Sequence, residues 1–232
     1  MISSLIMGTA THHCYNRIIV LHQVQYSQYV NNIGYTSKGH SLFVEDGVEW
    51  YNVIKHNLIF NTRPSYGLTD EDVHPANFWM KHPLNFFEDN VAGGSTHYGV
   101  WYSLNDHPQG PAATDSICPI NEPLGTFENN IAHSVGRYGL RVFPGHQPRM
   151  KPCSGYSDTN LPVMANYNNF TSYKNQRNGA FFEYMGAFTA NNFYVVDVIK
   201  VGIEVGHVMW NTWLKAGYVK NACVIGVGKE NT

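Results

Sequence analysis

A chain of 232 residues with a formal charge of −2 is long enough to bury a continuous core, so it needs no disulfide or metal staple to fold. Only 14% of residues are charged, against about 25% in an ordinary soluble domain, and no Lys/Arg run supplies the clustered cations that a phosphate backbone demands. Nucleic acid is therefore not an expected partner. No window holds the ~18 consecutive apolar residues of a membrane span, and the start "MISSLIMGTATHHC" lacks the basic lead-in of an export signal.

Along the chain one plan repeats: an Asn-containing turn, a few mixed residues, then Gly and an apolar stretch. It reads "NNIGYTSKGHSLFV" from Asn31, "HNLIF" in part from His56, "DNVAGGSTHYGVWY" from Asp89 and "NNIAHSVGRYGLRV" from Asn129. Then come "NNFTSYKNQRNGAFFEY" from Asn168, "NNFYVVDVIKVGIEV" from Asn191 and, in part, "KNACVIGV" from Lys220. The β-branched and aromatic content favours strands, and apolar residues at helical spacing are absent over any long window. Units of roughly 24 to 40 residues with two or three short strands each predict an all-β parallel β-helix, one domain over residues 1–232 with long loop excursions. Asn suits the corners because it tolerates left-handed backbone and its amide can bond locally or to the Asn of the next rung. Unless capped, the end rungs would offer bare strand edges, so end-to-end self-association is an expectation too.

Several clusters could carry chemistry. "THHCYNR" holds His12, His13 and Arg17, but adjacent strand residues point to opposite faces, so the two imidazoles do not share a metal without a bend. "HSLFVEDGVEW" gathers Glu45, Asp46 and Glu49, with His40 before them and His56 after. Such groups could work as acid and base on a glycosidic bond or hold a cation such as Ca2+. Alternatively, Glu45 and Asp46 bond the backbone at a corner, since Asp46-Gly47 is turn chemistry. In "TDEDVHPANFW", Asp70, Asp72 and His74 alternate and would face one way if extended, toward a metal or a sugar; an ordinary solvated loop is the alternative.

"GGSTHYGVWYSLNDHPQGP" puts His97 at a rung corner, Trp101 on a strand, and Asp106 and His107 on a long excursion of the kind that often carries function. Trp79, Trp101 and Tyr102 would stack on sugar rings if exposed and pack the core otherwise. Arg137 and Arg141 could pair with uronate carboxylates. Cys118 and Cys153 lie in Pro/Gly-rich loops flanking one intervening strand; they could bridge in an oxidising compartment or stay as free thiols. No C-x-x-C pair suggests structural zinc, and Asn169-Phe-Thr171 fits the N-glycosylation pattern.

Taken in order, "GTATHHCYNR" (8–17), "GHSLFVEDGVEWYNVIKHNL" (39–58), "DVHPANFWMKHPLN" (72–85), "AGGSTHYGVWY" (92–102), "DHPQGP" (106–111), "PLGTFENNIAHS" (123–134) and "YGLRVFP" (138–144) resemble the β-helix region of the fibrocystin-L family. That family is related to the cell-migration-inducing hyaluronan-binding proteins and their transmembrane cell-surface relatives. The resemblance implies a right-handed, pectin-lyase-like coil on a large extracellular or cell-surface protein. It implies a module for surface-coat structure or for recognising an extracellular glycan or protein; the residues themselves offer Glu49, Asp72, His74, Trp101, Asp106 and His107 as contacts. The relatives also raise depolymerisation of a hyaluronan-like polysaccharide. Glu45 or Asp46 would then be the acid–base groups, with His40, His97 and Arg141 orienting the sugar.

Overall fold

The computed structural model describes residues 4–67, 70–208 and 217–227; the segment read for an export signal lies partly outside them. Each turn of the coil lays down three short strands, one per face. The first face holds Leu5–Met7, Gln28–Val30, Val53–Lys55, Phe86–Glu88 and Thr126–Glu128; the second holds Ala10–His12, Ile33–Lys38, Leu58–Arg63, Val91–Gly93 and Ile131–His133. The longer strands Ala165–Tyr173 and Phe188–Val198 continue both faces, and Tyr218–Lys220 and Cys223–Gly226 pair with the second of them. The third face is a seven-stranded sheet running from Ile19–Leu21 to Val201–Val205. The rungs stack in parallel register, as in Phe87 with Phe127 and Val100 with Leu140. The expected all-β parallel β-helix is the architecture observed.

The core is a set of columns. Tyr29, Ile54, Phe87, Phe127 and Tyr167 lie in register on the first face and all are buried. Strands about 4.8 Å apart place equivalent side chains in contact, and each buried aromatic or aliphatic side chain contributes about 1.5–3 kcal/mol. Phe87 and Phe127 stack at 5.8 Å. Phe78, Val100, Leu140 and Ala180 form the matching column of the third face.

That face also carries a second apolar layer on its other side: Phe43, Trp79, Tyr98, Trp101 and Tyr138, with Phe181 against them. Trp79, Trp101 and Tyr102 are 2%, 7% and 0% exposed. They are core, and none is a platform for a sugar ring.

The corner between the first two faces divides the two proposed tasks of Asn between neighbouring residues. Asn31, His56, Asp89 and Asn129 take left-handed backbone, with φ of 58°, 57°, 55° and 56°, a geometry that short polar side chains accept. The next residue in each case, Asn32, Asn57, Asn90 or Asn130, turns inward and is buried. Asn57 gives its backbone N–H and its Nδ2 to Asn90 Oδ1, both at 3.0 Å. Asn90 repeats this toward Asn130 at 2.9 and 3.3 Å, over sequence steps of 33 and then 40 residues. The ladder therefore tolerates inserted loops between rungs. A shorter ladder, Ser27–Asn52–Asn85, holds the corner that enters the first face.

Candidate functional site

The insertions gather on one side of the coil. Residues 103–125 leave after the strand Tyr98–Tyr102, and residues 143–164 leave after Tyr138–Val142 one rung later. A disulfide joins Cys118 to Cys153. A whole rung of three strands (Thr126–Glu128, Ile131–His133 and Tyr138–Val142) lies between the two cysteines in sequence, not the single strand expected. Backbone bonds from Gln147 N–H to Ile120 O at 2.7 Å and from Arg149 N–H to Asn121 O at 2.9 Å fasten the excursions to each other. Gln109 N–H donates to Asp46 O at 3.0 Å and ties the first excursion down to the coil.

Between them opens a cleft of about 610 Å³ lined by Asp106, His107, Gln109, Ile120, Gln147 and Tyr184, among others. Asp106 and His107 are exposed there. His107 Nδ1 bonds Ile117 O at 3.1 Å, which orients the ring. Tyr184, 47% exposed, lies parallel to His207 at 4.7 Å, and Gln147 bonds the Tyr156 hydroxyl and Tyr184 O. An exposed ring, planar amides and one carboxylate around a preformed concavity can hold a polar ring-shaped ligand. Neither Tyr184 nor Gln147 was picked out from sequence, because each is ordinary until the excursions bring it to the cleft.

Glu49, Asp72, His40 and Arg141, also expected as site residues, are used by the scaffold. Glu49 is fully buried: Oε1 accepts the amides of Gln23 (2.9 Å) and Asp46 (3.3 Å), while Oε2 accepts those of Gly47 (2.8 Å) and Val48 (3.1 Å). Burial raises its pKa and these amides oppose the rise. The corner role foreseen for Glu45 and Asp46 is thus filled by Glu49, with Gly47 turning the chain at φ 98°. Asp72, also buried, pairs with Arg17 at 3.0 Å and accepts His40 N–H at 3.0 Å, so it faces neither sugar nor solvent. His40 is completely buried against Trp79, and its Nδ1 accepts the Ala76 amide at 3.0 Å. Desolvation, then Arg17 and Lys81, push its pKa well down. The 4.0 Å approach of His40 to Asp72 is accordingly no ion pair.

Exposed His74 meets half-buried His97 edge-on at 4.9 Å, and burial with Arg137 and His74 lowers His97 to about 4. Arg141 sits over Trp101 at 4.1 Å and Tyr98 at 4.8 Å, while Trp101 Nε1–H donates to Phe143 O at 3.0 Å. Arg141 is packed on aromatic faces instead of waiting for a uronate.

His40 and the acid–base pair Glu45 and Asp46, expected to act together on a glycan, lie at opposite ends of one strand. His40 precedes the strand Leu42–Val44 and Glu45 follows it; a three-residue strand spans roughly 10 Å. Glu45 and Asp46 present oxygens within 4.8 Å of each other, and Asp46 is 5% exposed. Asn169, expected as a glycan acceptor, takes a corner position at φ 50°; its amide bonds Glu128 and receives Asn192 Nδ2 at 2.9 Å. Among the described residues no helix is long and apolar enough to cross a membrane.

Comparison with known proteins agrees with this architecture. The sequence model of the CEMIP beta-helix matches residues 2–72 and 67–140. Fibrocystin-L of Mus musculus is 36% identical over 229 residues, covering 96% of this chain. The Homo sapiens proteins named Cell surface hyaluronidase CEMIP2 and Cell migration-inducing and hyaluronan-binding protein are 27% and 30% identical, over 77% and 60% of the chain. The chain spans 5% of the length of the mouse Fibrocystin-L and 16% and 12% of the latter two. With parallel rungs, an asparagine ladder and this match over its first 140 residues, the chain belongs to the CEMIP beta-helix family.

Proposed function

We propose that this chain is a non-catalytic recognition module of an extracellular or cell-surface protein and that the cleft between its two excursions binds a neutral carbohydrate. The observation that carries this reading is the cleft itself: exposed Tyr184 beside Asp106, between loops that are tied together before any ligand arrives. A disulfide between the loops suits an oxidising compartment. The names of two relatives point to hyaluronan, yet Asp106 is the one lining residue of fixed charge and would repel a uronate. Neutral or N-acetylated sugars fit the cleft better.

Titration calorimetry with neutral oligosaccharides is expected to show binding that weakens roughly two- to twelve-fold in Tyr184→Ala, since stacking on an aromatic ring contributes about 0.5–1.5 kcal/mol. Hyaluronan oligosaccharides should bind more weakly to the wild type and more tightly to Asp106→Asn. Equal affinity of wild type and Tyr184→Ala for every sugar would remove the cleft as the site. Shortening of high-molecular-weight hyaluronan by the folded protein, with or without calcium, would overturn the non-catalytic reading.

A further inference from the structure

One cluster has no part in the cleft. His22, just after the third-face strand of the first rung, reaches across to Glu45 and Asp46 at the same corner of the second. Its Nδ1 lies 3.4 Å from Glu45 Oε2 and 3.2 Å from Asp46 Oδ2. Asp46 is 5% exposed, yet Oδ2 is buried without a hydrogen-bond partner. A buried carboxylate oxygen in that state carries an unmet desolvation cost, which a cation between the three groups would remove.

We infer that His22, Glu45 and Asp46 form a binding site for a divalent transition cation, zinc before others. The spacing fits. Zn–N and Zn–O bonds of about 2.0–2.2 Å at tetrahedral angles put neighbouring ligand atoms roughly 3.3–3.5 Å apart, close to both distances measured from His22 Nδ1. The site is also held ready. Asp46 gives its N–H to Glu49, accepts Gln109 N–H on its carbonyl, and lies so close to Gly110 that a Cβ there would come 3.1 Å from Oδ1.

Ligand type selects the metal. Calcium takes six to eight oxygens, whereas one imidazole and two carboxylates with water in the remaining position are a zinc-type set. The earlier expectation of calcium at Glu45 and Asp46 is therefore replaced by zinc, and His22 enters as a ligand that sequence spacing did not reveal. A bound ion would staple the first two rungs beneath the 103–125 excursion.

The test uses the chelator-treated full chain, titrated calorimetrically with zinc chloride and in parallel with calcium chloride. One zinc per chain is expected at this corner, with a rise in the thermal midpoint, and affinity should fall at least ten-fold in both His22→Ala and Asp46→Asn. His22 is largely exposed, so its variant tests the site without disturbing the core. Exposed His12 and His13, whose Nδ1 atoms lie 2.9 Å apart, are a second place where zinc could collect. The double variant His12→Ala, His13→Ala should keep the corner site intact. No zinc binding by the wild type, or equal binding by His22→Ala, would reduce the cluster to a contact between His22 and two carboxylates and overturn the inference. Calcium binding tighter than zinc would overturn its metal assignment.

Discussion

Lowering the pH from about 7 to about 5 is expected to remove roughly 4 kcal/mol of folding stability, about 2 kcal/mol each from His82 and His146. Both imidazoles are buried, and desolvation lowers His82 to about 3 and His146 to about 4. Their hydrogen bonds require the neutral ring. His82 Nδ1 accepts the Leu84 amide at 3.2 Å. His146 Nε2–H donates to Glu122 O at 2.9 Å, which leaves Nδ1 to accept the Tyr167 hydroxyl, also at 2.9 Å.

The sign follows from the lowered folded values. Above pH about 6.5 neither state binds a proton and stability is full; below it the unfolded chain protonates and the folded chain does not. The loss therefore accumulates as pH falls from about 6.5 toward 4 and then 3, and His40, wholly buried, adds in the same direction. Burial raises the carboxyls of Glu49 and Glu122, which act oppositely from their raised values down to the ordinary 4.5. Urea midpoints at pH 7 and 5 measure the net effect. His146→Gln, which can keep one donor and one acceptor without titrating, should lose about 2 kcal/mol of the pH dependence. An unchanged midpoint between the two pH values would show that the buried imidazoles are not held neutral.

The coil was legible in the sequence because its corner chemistry is local and recurs. "NNI" at Asn31 and Asn129 and "DNV" at Asp89 mark the same corner however many residues intervene, since an insertion leaves the corner unchanged and only lengthens a loop. Which Asn of each pair takes the left-handed backbone and which turns inward was not legible; composition is the same in either order, and only the pleat of the stacked strands decides.

The site was less legible still. Glu49, Asp72 and Asp106 are all acidic residues near turns, but one collects backbone amides, one is locked to Arg17, and only the third reaches open solvent. What separates them is burial, set by chain folded over them from elsewhere. The cleft depends on the same kind of distant contact. Ile120 meets Gln147 because two excursions from successive rungs come to lie side by side, and no short window of sequence contains that fact.

The largest single-residue effect is expected at Asn90. Asn90→Ala should cost about 3–5 kcal/mol, because Asn57 loses the acceptor for both its backbone N–H and its Nδ2, and Ile54 O loses the donor at 2.8 Å. These groups are buried, so water cannot replace the bonds. Asn129→Ala, on the exposed left-handed position of the next rung, should cost only about 1–2 kcal/mol of backbone strain. Asn90→Asp separates the two halves of the amide: its oxygens can still accept from Asn57, but they face Ile54 O and Asn130 Oδ1, which also only accept. That variant should be at least as unstable as the alanine at neutral pH. It should recover in part under mild acid, where a protonated carboxyl can donate again, opposite to the acid sensitivity of the wild type. Chemical denaturation of the three variants across pH tests the ladder directly. If Asn90→Ala proves no more costly than Asn129→Ala, the inward amides do not hold the rungs together, and the stacking of Phe87 on Phe127 must suffice.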